Sequence, residues 1–296
     1  MRVAVMGGTG FLGKEVVGSI RHRGWIPVIF TRKYILTSSD EFITTDYSKD
    51  DLQNKLKEFN SVVILASIRG ANGTIEDFHQ NEILLQNILD SCSYNNITNV
   101  CFISSISVYS DTNIIPWRES TIPSPKTFYG VSKLACENIG NIYSRRYGLM
   151  FKSLRVAQVL GEGEVKGMMN TFIDNAFDKK VLYIRGKSIA KREYVYVKDV
   201  ANAICMAIAN KDIKGCFNIG SGISYSNLEI AEIINDVFDN KENIKYEDYL
   251  DEGIESSLMD ISYAKDKLGF YPKYTLREAL QDIKNIKESD RRKGNV

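Results

Sequence analysis

The sequence predicts an α/β protein: a doubly wound parallel sheet followed by a smaller mixed α/β lobe. Three observations carry that expectation. Short apolar runs alternate with helical stretches through the first half of the chain, the pattern of parallel strands joined by crossover helices. The first run, Arg2–Met6, passes straight into the glycine-rich segment Gly7–Gly13 and then into a helical stretch. After about residue 156 the alternation weakens, so the remainder reads as a different and smaller assembly.

Taken in order, Arg2–Met6 is apolar without helical spacing, which suits a buried strand. The helix after it carries Val16, Val17 and Ile20 on one side and reaches Gly24, a plausible C-cap. Ile26–Thr31, Phe42–Asp46, Ser61–Ala66, Asn99–Ser104 and Phe151–Val156 read as strands. Helical patterns occupy the stretches around Asp50–Phe59, Ile75–Tyr94 and Phe128–Tyr147. Further on, Gly215-Cys216-Phe217-Asn218-Ile219-Gly220 reads as a strand ending in a turn, a return to the sheet that interrupts the second lobe.

Composition excludes several classes. The 296 residues carry 38 basic and 37 acidic side chains for a net charge of +1, so no field favours nucleic acid or an anionic membrane. No run approaches the ~18 apolar residues of a membrane span. Lys14-Glu15 interrupts the opening stretch, which is too short and glycine-rich for a signal peptide. The five cysteines, Cys92, Cys101, Cys136, Cys205 and Cys216, contain no C-x-x-C and read as buried reduced thiols of a cytoplasmic protein. With only His22 and His79, a metal site or a catalytic triad has little to work with, and no metal is expected.

Gly7, Gly10 and Gly13 give the spacing G-x-x-G-x-x-G between a strand and a helix, a variant of the dinucleotide fingerprint. Glycine permits the tight turn, the close approach of backbone to a pyrophosphate, and close packing of helix on strand. The helix N-terminus then offers free N–H groups to the anion. Accordingly, residues 1–157 are expected to form the dinucleotide-binding domain, with a return to the sheet near 195–222. Residues 158–194 and 223–296 are expected to form the substrate lobe.

The run Tyr129-Gly130-Val131-Ser132-Lys133 holds the most informative pair. Four positions apart on a helix, the two side chains share a face. A free phenol titrates near ~10, and a nearby ammonium favours the phenolate. Bringing it to about 7 takes roughly 4 kcal/mol. An exposed polar helix face is the bland alternative. The glycine turn upstream and Ser105, about one βα unit before the pair, argue for chemistry.

These residues resemble the extended short-chain dehydrogenase/reductases, in particular the NAD-dependent epimerase/dehydratase branch that acts on nucleotide sugars. The resemblance runs nearly end to end. It includes Gly7–Gly13, Ser104-Ser105-Ile106-Ser107-Val108-Tyr109 and Tyr129–Lys133. It continues through Arg192-Glu193-Tyr194-Val195-Tyr196-Val197-Lys198-Asp199-Val200 and Phe217-Asn218-Ile219-Gly220-Ser221-Gly222. Met259-Asp260-Ile261-Ser262-Tyr263-Ala264 and Leu268-Gly269-Phe270-Tyr271-Pro272 complete it. It implies a Rossmann-type sheet and an oxidoreductase or epimerase working at a sugar carbinol or ketone carbon.

By that resemblance Ser105 is the catalytic serine, holding the reacting oxygen, and Tyr129 the general acid/base. Lys133 would hold the nicotinamide ribose and keep Tyr129 acidic. The cofactor would lie along Gly7, Thr9, Gly10, Phe11 and Leu12, then Ala66, Ser67 and Val156, with Asp46-Tyr47 at the adenine. Asn81 begins the inward face of a long helix, where a structural role is equally open. Family members commonly dimerise through the Ile75–Tyr94 and Phe128–Tyr147 helices, so a homodimer is expected, although an ordinary core face explains the same residues.

Cofactor choice turns on Phe30-Thr31-Arg32-Lys33. An enzyme preferring NAD usually places an acid there for the ribose 2′-hydroxyl. Here Arg32 is placed to meet a 2′-phosphate, so NADP is the preferred expectation, with NAD possible and a plain charged loop as the alternative. Dehydration is disfavoured, because Ile106 and Ser107 stand where family dehydratases carry Asp-Glu. For the substrate, Ser107, Gln158 and Arg192 are the candidates. Arg192 resembles the arginine that grips a nucleotide diphosphate, and an ion pair with Glu193 or another carboxylate is its alternative. Two departures matter: Gln158 stands where epimerases usually have asparagine, and Tyr246–Leu258 is acidic and holds no arginine. Lys187 or Lys191 could assist Arg192. Three functions therefore stay open: a nucleotide-sugar 4-epimerase or 4-ketoreductase, an NADPH-dependent reductase of a non-nucleotide ketone or aldehyde, and a non-catalytic cofactor-binding module.

Overall fold

The computed structural model describes residues 1–35, 40–70, 72–164, 167–240 and 243–294. The first part runs β1 (Arg2–Met6), α1 (Phe11–His22), β2 (Ile26–Thr31), β3 (Glu41–Thr44), α2 (Lys49–Lys55), β4 (Ser61–Ile64) and α3 (Ile75–Tyr94). It continues with β5 (Asn99–Ser105), α4 (Phe128–Tyr147), β6 (Met150–Val156), β7 (Gln158–Leu160), α5 (Met168–Phe177), β8 (Leu182–Arg185) and β9 (Lys191–Tyr196). The last part is α6 (Val197–Ala209), β10 (Gly215–Ile219), β11 (Ser224–Ser226), α7 (Asn227–Val237), β12 (Ile244–Glu247), α8 (Ser262–Leu268) and α9 (Leu276–Gly294).

Seven strands form one parallel sheet in the order β10-β6-β5-β4-β1-β2-β3. Strand order reverses between β1 and β4, and such a switch point opens a crevice at the carboxyl ends of the strands. Helices cover both faces. Val16, Val17 and Ile20 of α1 pack with α6 residues such as Val200 and Ile204 on one side. Leu52 of α2, Leu85 and Ile88 of α3 and Cys136 of α4 pack on the other. A third core in the C-terminal lobe gathers Phe172, Ile173, Ile184, Ile230, Ile234 and Leu280. This is the doubly wound sheet with a smaller mixed lobe that the alternation predicts.

Two long helices begin and end where the sequence places them, and their caps give the reason. Thr74 and Asp77 form a reciprocal capping box at the start of α3, with Thr74 N–H donating to Asp77 Oδ2 at 2.8 Å. Thr127 caps α4, accepting Gly130 N–H at 3.1 Å, and Gly148 ends it in the left-handed conformation at φ 70°. Three other elements are shorter than expected. β3 stops at Thr44 because Tyr47 turns left-handed at φ 63°, β4 stops at Ile64, and α2 stops at Lys55. Of the segment near 195–222, β10 alone rejoins the main sheet, edging β6. Strand β9 instead lies between β11 and β7 in a separate three-stranded sheet. Among the described residues no helix is long and apolar enough to cross a membrane.

Candidate functional site

The glycine turn fits a diphosphate. Helix α1 starts at Phe11 with Gly10 as N-cap and no side-chain cap, which leaves its first N–H groups without a side-chain acceptor. A Cβ on Gly13 would stand 2.4 Å from Gly7 O and 2.6 Å from Gly8 C, so the helix seats against the turn only because that atom is missing. Thr9 and Gly10 are exposed in the turn. The Phe11 ring does something else: it packs into the C-terminal lobe's core and against Gly161, so only its backbone faces the turn. Leu12 packs against the same lobe and the sheet core.

Beside the turn, Tyr47 donates its hydroxyl to Phe30 O at 2.7 Å, and Thr45 Oγ1 accepts its N–H at 3.0 Å. These bonds hold it in a backbone conformation that a bulky side chain rarely adopts. Burial pushes its phenol up to about 12, with the Arg32 charge pulling the other way. Asp46 is exposed, and its carboxylate is held below the usual range by accepting the Ser48 N–H at 2.8 Å. Ala66 and Ser67 follow β4 in the loop that Asn81 secures. Asn81 is buried; its Oδ1 accepts Ile68 N–H at 2.7 Å and its Nδ2 donates to Ile68 O at 3.1 Å. The structure therefore gives Asn81 a definite task, clamping both backbone groups of one loop residue.

Ser105, Tyr129 and Lys133 come together where β5 ends against α4. Ser105 closes the strand, pairs in register with Val156, and donates its hydroxyl to Ser107 Oγ at 3.0 Å. Gly130 lets the first turn of α4 approach: a Cβ there would lie 2.3 Å from Ser107 O. Lys133 is 2% exposed, donates to Ile103 O at 2.7 Å, and sits 5.6 Å from the Tyr129 ring centroid. Burial pushes its amine down to about 8.

One expectation reverses here. The lysine was to lower the phenol's pKa, yet burial raises Tyr129 above its ordinary value. The groups that pull it back are Arg69 and the Ser105 hydroxyl. The sequence reading missed Arg69; it follows Ile68 in the clamped loop and forms a forked pair with Glu164 at 3.3 and 3.4 Å. No motif marks it, since its influence comes from a loop path that only the fold defines.

Toward the C-terminal lobe, Gln158 pairs in register with Tyr194, and the Arg192 charge works against the burial that raises the Tyr194 phenol. The alternative partner is ruled out: Glu193 is 0% exposed and accepts backbone N–H from Gly222 at 2.7 Å and from Met259 at 2.8 Å. Neighbours on a strand face opposite ways, so Arg192 and Glu193 serve different sides of β9. Arg192 makes no ion pair among the described residues. Lys191 is tied to Glu229 at 2.8 Å, whereas Lys187 is exposed. The acidic 246–258 segment is a strap along residues 189–193: Glu252 accepts the N–H groups of Ile189 and Ala190 at 2.6 and 3.0 Å, and Ser257 N–H donates to Lys191 O at 2.8 Å. Of its acids, Glu252 caps backbone donors, while Glu255 pairs with Lys126 at 2.7 Å and Glu247 with Arg185 at 3.9 Å. Among the described residues no group of three or more His, Cys, Asp or Glu could hold a metal.

A switch-point crevice floored by a bare glycine turn, with a strand-end serine beside a tyrosine and lysine on one helix face, defines an enzyme of the extended short-chain dehydrogenase/reductase class. Comparison with known proteins narrows this. Residues 3–220 match the NAD dependent epimerase/dehydratase family, and the chain belongs to that family. Its structure is similar to that of UDP-N-acetylglucosamine 4-epimerase from Bacillus cereus, at 44% identity and a TM-score of 0.91, covering 97% of this chain and 99% of that one. A putative UDP-glucose 4-epimerase from Methanocaldococcus jannaschii is 28% identical, covering 98% of this chain and 99% of its own. MoeE5, solved with UDP-glucose and NAD, is 25% identical with a TM-score of 0.87, covering 98% and 99%. The NADP preference expected from Arg32 gains no support from these relatives: the cofactor named among them is NAD.

Proposed function

We propose that the protein is a UDP-hexose 4-epimerase that works with NAD and interconverts UDP-N-acetylglucosamine and its C4 epimer. The observation that carries the reading is the unspent Arg192. From Ser105 the register leads to Val156, two residues before Gln158, and from Gln158 to Tyr194, which stands two residues beyond Arg192 on β9. A guanidinium without a carboxylate partner, on the strand leading away from the reacting groups, suits a diphosphate. The 44% identity to a UDP-N-acetylglucosamine epimerase along nearly the whole chain supports the sugar.

In this reading residues 1–157, with strand β10, bind the dinucleotide, and 158–194 with 223–296 hold the sugar nucleotide. Gly7, Thr9, Gly10 and the first N–H groups of α1 receive the pyrophosphate; Asp46, Tyr47, Ala66, Ser67 and Val156 line the remainder. When bound, the nicotinamide supplies hydride acceptance and return. Tyr129 takes the proton from the C4 hydroxyl and later gives it back, while Ser105 holds that oxygen. Lys133 keeps Ile103 O and offers its remaining N–H donors to the ribose. Ser107 and Gln158 border the sugar. A reductase would share all these parts; the epimerase is favoured because it alone among the two needs no cofactor exchange, as the relatives' activities suggest.

The test is direct. Protein supplied with NAD and UDP-N-acetylglucosamine is expected to yield the C4 epimer at equilibrium without net NADH. Arg192→Leu should raise KM for the sugar nucleotide at least tenfold with kcat little changed. Stoichiometric NADPH consumption with a ketone, and no thermal stabilisation by UDP, would point to the non-nucleotide reductase. Tighter binding of NADPH than NADH in fluorescence titration would restore the preference read from Arg32. The same reading sets a second copy against α3 and α4, where Ile83 and Val131 are exposed at 41% and 42%. A mass of one chain in sedimentation would remove that pairing.

A further inference from the structure

We propose that Glu137, gripped by Arg155, is a positioning residue that sets the register of α4 against the end of β5, and with it the alignment of Tyr129 and Lys133 on Ser105. The inference rests on those three being the reacting groups.

Glu137 lies on α4 one turn beyond Lys133 and two beyond Tyr129, and is 2% exposed. Arg155 Nε donates to both its oxygens at 3.0 and 3.2 Å, and Nη2 donates to Oε2 at 2.6 Å. Ser104 Oγ donates to Oε1 at 2.5 Å, and Cys216 Sγ reaches Oε2 at 3.5 Å. One carboxylate thus joins α4 to three neighbouring strands, β5, β6 and β10. The contacts on β5 fall in a telling place. Lys133 bonds the carbonyl of Ile103 and Glu137 the hydroxyl of Ser104, so two successive turns of the helix are pinned to the two residues just before Ser105. The same arginine reaches the segment beyond: Nη1 donates to the Tyr109 hydroxyl at 2.6 Å, and that hydroxyl meets Asn218 Oδ1 at 2.9 Å. Ser107 stands between these two anchored ends.

Cohesion alone does not require an ion pair here. Burying two charges costs desolvation, and apolar residues of similar volume often pack as well or better. What the pair adds is direction, because a forked guanidinium accepts a carboxylate in few orientations. A helix free to slip by one residue moves about 1.5 Å along its axis. A misplacement of about 1 Å at reacting groups can cost on the order of 100-fold in rate. The Glu137 charge also favours the ammonium form of Lys133.

The experiment compares the NAD-loaded full chain with the double variant Glu137→Met with Arg155→Met, which keeps volume and removes both charges, and with Ser104→Ala as a milder second cut. UDP-N-acetylglucosamine turnover and the spectroscopic titration of Tyr129 (labelled tyrosine NMR) are followed together with thermal unfolding. The double variant is expected to unfold no earlier than the parent, yet lose at least 50-fold in kcat with KM within threefold, and to move the Tyr129 midpoint. Ser104→Ala should lose three- to tenfold in kcat, and it decides the matter if the double variant does not fold. A folded double variant with kcat within threefold and an unmoved midpoint overturns the proposal. If the parent turns over no sugar nucleotide, the functional reading fails, while the Tyr129 midpoint still decides this one.

Discussion

Tyr129→Phe is expected to lower kcat by about 10³-fold while leaving NADH binding within a few-fold of the parent. In the proposed function the phenol accepts and returns the proton, and general acid–base catalysis contributes on the order of 10²–10⁴-fold. The ring's packing survives the change, because Phe keeps the contact with Phe78, whose centroid is 5.8 Å away. Since burial favours the protonated phenol, the half-reaction that draws a proton from the carbinol should speed up as pH rises through neutrality. The variant should lose that slope. Steady-state kinetics across pH 6–9 with a separate cofactor titration measure both, and a variant with unchanged kcat would return the protein to the non-catalytic alternative.

Lys133→Met should abolish most activity and at the same time stabilise the free protein at neutral pH. Burial takes the Lys133 amine from the ordinary 10.5 to about 8, so folding opposes its charge. The sign follows from proton counts. Between about 8 and 10.5 the unfolded chain binds the extra proton, so the wild type gains stability as pH climbs through that window. Below about 8 both states are charged and the penalty is complete, roughly 3 kcal/mol at most. Methionine fills similar volume without charge. Urea unfolding at pH 7 should therefore favour the variant by about 1–3 kcal/mol, after allowing for the lost bond to Ile103 O, and the gap should close near pH 10. A variant less stable than the parent at pH 7 would show that the contacts with the Phe102 and Tyr129 rings, at 4.7 and 5.6 Å, and the Ile103 bond outweigh the burial of the ammonium. In the proposed function the same cation serves beside Tyr129 when cofactor binds, which would offset that cost.

Residues that act through their own backbone neighbourhood are legible in this sequence. Thr74 with Asp77, and Thr127 with Gly148, write the ends of α3 and α4 in local hydrogen bonds and one left-handed turn. The glycine spacing at 7, 10 and 13 states a close approach that a side chain would block. The Tyr-x-x-x-Lys interval places two groups on one face because a helix repeats every 3.6 residues. Even the short β3 has a local cause in Tyr47, although nothing in the composition of that stretch announces a left-handed tyrosine.

Whatever depends on burial or on fields from distant parts of the chain had to wait for the fold. The direction of the Tyr129 shift, the task of Arg69, the separation of Arg192 from Glu193, and the use of the acidic 246–258 segment as a strap are all of this kind. Glu137 and Arg155 are 18 residues apart, and only sheet order brings Ser104 and Cys216 to the same carboxylate. The chain by itself thus determined the alternating fold, the phosphate turn and the chemical types at the reacting centre, since those follow from near-neighbour geometry. Tertiary structure decided the charge states and the partners, because desolvation and Coulomb energy depend on what lies around a group in space and not on what precedes it in sequence.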